Sequence, residues 1–195
     1  MINKTLYGAV AYDQAFGYLA NYDDAMPDNV DPKSEGGSYT VAEHKWDEAF
    51  GYFGARRDFL TPGDVGSCID LTSEHNFGWA SYATKRDNDT ENIAYRNGVM
   101  FKADIFNAFV AGRAIIHNEG TIDELAPHMA TIRTRFEQLC AANVVHYVHS
   151  VLNAMGDLTS TSGAMSSESE NYNKYWSEMR GFIISLQYNV GEVSG

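Results

Sequence analysis

Basic residues are scarce in this sequence: 14 Lys and Arg stand against 26 Asp and Glu, a formal net charge of −12. A chain so short of positive charge lacks the footprint that grips a phosphate backbone. Nor does it gain from an anionic lipid surface. Nucleic-acid and membrane-adhesion roles are thereby disfavoured. Long apolar runs are missing too, and no stretch reaches the roughly 20 residues that cross a bilayer. The first residues, Met1-Ile2-Asn3-Lys4, lack the charged-then-apolar layout of a signal peptide. A cytoplasmic protein and a mature or truncated form of an exported one both stay open. Cysteine is limited to Cys68 and Cys140, far apart, which leaves one disulfide or two free thiols equally open.

Catalytic signatures are also missing. The chain has no Gly-x-Ser-x-Gly elbow, no phosphate loop, no dinucleotide fingerprint and no His-Glu-x-x-His. Neither cysteine has a Cys-x-x-Cys partner, and the paired Glu-x-x-His motifs of di-iron bundles do not occur. The balance falls against an enzyme. A metal-dependent hydrolase, which would need an open coordination position and a cleft, ranks last.

Aromatic residues are plentiful, with 12 Tyr, 10 Phe and 3 Trp in 195 residues. That is enough to build the core of one domain spanning 1–195 without metals or disulfides. Apolar periodicity predicts helices and almost no strand. A first helix is read over 3–21, where Tyr12, Phe16 and Leu19 form one stripe. Residues 22–39, with two prolines and a glycine pair, read as a long loop. A second helix over 40–54 opens on Thr40, with Glu43 completing a capping box, and stops at Gly54. A weaker helix is expected over 71–84, with Thr72 or Ser73 near its start. Longer ones follow over 91–117 and 121–155, then a last helix over 172–188 after a polar loop at 156–171. Pro127 implies a kink or a late start. In the 121–155 helix the core stripe is Met129, Ile132, Phe136, Cys140, Val144, Tyr147, Val151 and Met155. The expected fold is an all-α bundle of about six helices with long connecting loops.

One motif occurs twice. Residues 12–20 read YDQAFGYLA and residues 46–54 read WDEAFGYFG, identical at five of nine positions and offset by 34 residues. With no third copy, a solenoid is ruled out in favour of two helices packed with approximate two-fold symmetry. Gly17 and Gly51 fall mid-helix, where glycine costs roughly 1 kcal/mol relative to alanine. Close backbone approach is the usual return, so the two glycines are expected at the helix crossing, with Phe16 and Phe50 around them.

The second copy carries the chemistry. His44, Asp47 and Glu48 stand at i, i+3 and i+4 on one helical face, a half-site that suits zinc, iron or manganese. Asp13, the repeat partner of Asp47, and His146 with His149 on the long helix are candidates to complete it. The same residues fit better still a structural network, in which Asp47 or Glu48 orients His44 against a buried arginine such as Arg113. Trp46, Phe109 and Tyr147 read as core.

The run Glu43-His44-Lys45-Trp46-Asp47-Glu48-Ala49-Phe50-Gly51-Tyr52-Phe53-Gly54 resembles a bacterial family, the domain of unknown function 4856. Tyr7-Gly8-Ala9 with Tyr12 and Gln14, Phe106-Asn107-Ala108-Phe109 with Gly112-Arg113-Ala114, Ile132-Arg133, His146-Tyr147 and Trp176-Ser177-Glu178 extend the likeness. It covers most of this chain and the C-terminal part of the family's longer proteins, so the chain is read as a compact relative or a fragment. The resemblance implies a secreted or lipid-anchored protein, periplasmic or at the cell surface, beside iron-uptake functions. It also implies a distant similarity to imelysin-like helical proteins, whose Gly-x-His-x-x-Glu motif is associated with metal. Here the spacing is His44-x-x-Asp47-Glu48, without the leading glycine.

The leading expectation is a non-enzymatic extracytoplasmic helical binding protein linked to metal or iron acquisition. Its metal site would be His44, Asp47 and Glu48 around a divalent ion, iron or zinc, supported by Asp13, Glu43, Arg113 and His146. The alternative is a structural or assembly protein with an envelope or assembly partner, in which that cluster only stabilises the fold. An exposed apolar patch or a stable oligomer would favour it.

Overall fold

The structure, a computed structural model, describes residues 2–30, 37–60, 76–89, 98–160 and 167–188. Six helical stretches build an all-α bundle, and no strand occurs among the described residues. The first stretch joins α1 (Ile2–Leu6), a π-helical turn (Tyr7–Tyr12), α2 (Asp13–Leu19) and a 3-10 turn (Ala20–Tyr22). Then come α3 (Val41–Phe53), α4 (Gly78–Asp87), α5 (Phe101–His117), α6 (Ile122–Ser160) and α7 (Ser167–Ser185), closed by a 3-10 turn (Leu186–Tyr188). The long α6 packs along both α7 and α5, α2 lies on α3, and α1 rests on α7.

Local chemistry accounts for the ends of α3. Thr40 accepts from the Glu43 amide at 3.1 Å while the Glu43 carboxylate accepts from the Thr40 amide at 3.0 Å, so the expected capping box is present. Gly54 ends the helix at φ +84°, a left-handed conformation that glycine adopts without strain. Its carbonyl accepts from Phe77 at 3.0 Å, which ties the end of α3 to the approach of α4. A second capping box opens α6, where Thr121 and Glu124 exchange backbone-to-side-chain bonds of 2.8 and 3.3 Å.

Several boundaries differ from the sequence reading. α4 begins at Gly78, after an extended Phe77, rather than near 71, and it runs on to Asp87. Residues 71–75, including the Thr72 and Ser73 starts and His75, lie outside the described residues, as does Cys68. Residues 91–97 of the expected 91–117 helix lie outside the described residues; residues 98–100 are not helical, and α5 starts at Phe101, where its cap comes from a distant residue. The Asp87 carboxylate accepts from the amides of Phe101 and Lys102 at 2.9 and 2.8 Å. α6 passes through Pro127 without a late start. Pro127 is exposed, as is Asp123, the residue whose carbonyl its ring leaves without a donor. α6 extends to Ser160 and α7 opens at Ser167, which shortens the polar loop from both sides. The first helix is regular except at the π-turn, where the Asp13 amide reaches back to the Gly8 carbonyl. There Gly8 lies against Ser185, and a Cβ would overlap it.

The core is aromatic. Phe136 of α6 is its hub, with ring centroids 6.1 Å from Tyr12, 5.9 Å from Phe16, 5.4 Å from Phe53 and 6.1 Å from Trp79. Each such side chain contributes about 1.5–3 kcal/mol on burial. Along the expected α6 stripe Met129, Ile132, Phe136, Cys140 and Val151 are buried, Val144 and Tyr147 are half-buried, and Met155 is exposed. Cys140 is a buried thiol, 3.5 Å from the Phe182 carbonyl, and burial together with the nearby Glu137 charge pushes it up to about 12.

The two repeat copies do pack together, and Tyr18 stacks on its repeat partner Tyr52 with centroids 6.0 Å apart. Equivalent pairs share their burial: Tyr12 with Trp46, Ala15 with Ala49, Leu19 with Phe53. The glycines are not at the crossing. Gly17 and Gly51 are exposed, with nothing within 4 Å of where a Cβ would stand. Close approach occurs instead at Gly112 of α5, against the ring of Trp46.

Candidate functional site

α3 and α5 run side by side and are stitched by two matched pairs of polar side chains. Glu43 and Asp47 are one turn apart on α3; Arg113 and His117 are one turn apart on α5. The Arg113 Nη1 donates to Glu43 at 2.7 Å and its Nε donates to Asp47 at 3.0 Å. His117 Nδ1 stands 3.0 Å from the same Glu43 oxygen. An ionised carboxylate only accepts, so Nδ1 carries the proton.

Glu43 is the centre of this network. Its side chain is 7% exposed, and one oxygen closes the capping box while the other receives Arg113 and His117. Burial would raise its pKa. The hydrogen bonds from His117, the Thr40 backbone and Arg113, with the Arg113 charge, outweigh that and hold it at about 2. The carboxylate therefore stays charged while buried, fully engaged on both oxygens.

The remaining sequence candidates are dispersed. His44 is half-buried, 3.8 Å from Glu48, with its ring stacked on Tyr39 at 5.3 Å. Asp13 bonds its neighbour Gln14 at 3.5 Å and does not join the Glu43–Asp47–Arg113 network. His146 sits in another network, 3.0 Å from Asp89, whose same oxygen is 3.5 Å from Arg86. His149 is exposed on α6. Among the described residues, no group of three or more His, Cys, Asp and Glu converges to hold a metal ion. Of the candidates, the structure thus brings Glu43, Asp47 and Arg113 together and adds His117. The signal for His117 was its spacing: Arg113 and His117 repeat the i, i+4 step of Glu43 and Asp47.

Beside this network lies a pocket of about 410 Å³. Trp46, Phe50, Phe106, Phe109 and Val110 supply its apolar wall, and Asp47, Arg57 and Arg113 supply its polar edge. Trp46 and Phe109 are core residues, as read from the sequence, and they also line this cavity. The wall is held rigid. The indole Nε1 of Trp46 donates to the Phe109 carbonyl at 2.8 Å, and the two rings meet edge-on at 5.7 Å. Phe50 packs edge-on against both Phe106 and Phe109, at 5.9 and 5.4 Å.

Fold and site together define an all-α helical bundle with one ion-paired helix seam flanking an aromatic pocket. The chain belongs to the family described as Domain of unknown function (DUF4856), whose model matches residues 1–195. No curated protein and no solved structure matches it.

Proposed function

We propose that this chain is a non-enzymatic helical binding protein whose ligand seat is the pocket between α3 and α5. The observation that carries the reading is the pocket itself. Its volume of about 410 Å³ falls within the roughly 300–1,000 Å³ of small-molecule sites. An aromatic wall with a few charged groups at one edge is the make-up such sites share. The Glu43–Arg113–Asp47 seam supports the reading by fixing one edge of the cavity. Action outside the cytoplasm and a link to iron acquisition follow from the family resemblance, and the resemblance to imelysin-like proteins adds metal.

Val110 lines the pocket and is 52% exposed, so Val110→Trp fills the cavity without entering the core. A thermal-shift survey of aromatic and aliphatic small molecules checks the reading. Compounds that raise the melting temperature of the wild type and leave Val110→Trp unmoved support it. Shifts that persist in the variant would refute it.

A second reading, assembly with a partner, draws on one observation. Val145, Val148, Leu152 and Met155 of α6 are all exposed, at alternating three- and four-residue steps. That spacing forms the seam by which one helix meets another. Sedimentation of the wild type beside Leu152→Glu tests it: a dimer lost in the variant supports assembly, and a monomer at every concentration removes homo-assembly.

A further inference from the structure

We propose that the α3–α5 pocket takes a small free carboxylate with a flat apolar body, its anionic group held by Arg57. The inference rests on the pocket reading above and adds the chemistry of the ligand.

The wall sets the body. Trp46, Phe50, Phe106 and Phe109 present ring faces and edges, a surface that matches an aromatic or flat ring system and offers it no hydrogen-bond partner beyond the rim. The rim sets the charge. Arg113 has its Nε on Asp47 and its Nη1 on Glu43, so its charge is already compensated by two carboxylates. Asp47 is in turn paired with Arg113 through Oδ1, so its charge is already matched by a guanidinium. Arg57 is different: it lines the pocket and has no hydrogen-bond or ion-pair partner among the described residues. The chain has only 14 basic residues, and two of them edge this one cavity.

A protein of net charge −12 repels anions at a distance. Selection for an anion must then be local, from a guanidinium at the edge of an apolar pocket. A guanidinium meets a carboxylate through two parallel N–H donors, and this planar fork suits a ligand whose carboxylate lies in the plane of its ring.

The test uses 2-naphthoate and its uncharged isostere 2-naphthamide, titrated against the wild type and Arg57→Gln and followed by tryptophan fluorescence. Arg57 is exposed, so its substitution spares the fold. The naphthoate should bind the wild type about tenfold more tightly than the amide, a difference of the size a charge-assisted hydrogen bond supplies. Arg57→Gln should erase that preference and leave the amide affinity unchanged. Equal binding of the two compounds to the wild type overturns the anion assignment and leaves the pocket reading standing. A preference that survives Arg57→Gln overturns the role of Arg57. Failure of both compounds to bind overturns the inference and counts against the pocket as well.

Discussion

Trp46 of α3 lays its indole ring directly against Gly112 of α5, so close that a methyl group on Gly112 would collide with it. The same ring donates to the Phe109 carbonyl one turn earlier on α5. Trp46 is 1% exposed and has no room to retreat. This contact sets the spacing of α3 and α5, and therefore the wall of the pocket between them.

Gly112, Gly17 and Gly51, all mid-helix, should not respond alike to alanine. Gly112→Ala gains helix propensity but forces the indole out of place, a net loss of about 1–3 kcal/mol. Gly17→Ala and Gly51→Ala meet open space, so each should stabilise by about 0.5–1 kcal/mol. Thermal melts resolve this, since 1 kcal/mol moves a domain of this size by roughly 2–4 °C.

Acid should weaken the α3–α5 seam in a defined window. The Glu43 carboxyl titrates at about 2 in the fold against 4.5 in its ordinary setting. Between those values the unfolded chain holds a proton that the fold does not, so stability falls as pH drops through the interval. Above pH 4.5 the contribution is complete. Denaturant melts at pH 7 and pH 3 should therefore differ more for the wild type than for Glu43→Gln. Identical differences would show that Glu43 is not held charged in the fold.

Removing the hub ring should be costly. Phe136 is fully buried and touches aromatic rings of the first helical stretch, α3 and α4. Phe136→Ala is expected to cost about 3–5 kcal/mol in urea unfolding, near the upper end for core truncations. A loss under 1 kcal/mol would mean that the cavity collapses and the hub carries little of the packing.

What the sequence revealed follows the range of the interaction. Thr40, Glu43 and Gly54 bound α3 as read, because a cap is made by residues three apart and a left-handed stop by one. Asp87 capping α5 spans 14 residues, and no local pattern announces it; α5 was accordingly read as starting too early. The glycine error had a visible cure. Tyr12, Ala15, Phe16 and Leu19 are the buried face of the first copy, and position 17 falls off that stripe. Gly112 falls on the stripe of Ile105, Phe109 and Ile116. In the site, Asp47, Glu48 and Arg113 were read as one network around His44; Asp47 does pair with Arg113, but His44 lies with Glu48 and Tyr39 instead. The partition of His44, Asp13 and His146 into separate surroundings was not anticipated, because helix rotation and tertiary distance are invisible to i, i+4 spacing. The pocket itself arises from two helices 63 residues apart at their Trp46–Phe109 bond, which no local reading reaches.

The most direct test of the account follows the indole N–H of Trp46, a residue that lines the pocket, by proton–nitrogen NMR during a titration with 2-naphthoate. Trp46→Phe assigns the signal, and Trp176, exposed on α7, serves as the internal control. The account predicts a saturable shift of the Trp46 signal while that of Trp176 stays in place. A Trp46 signal that does not move, or a shift led by Trp176, would contradict it.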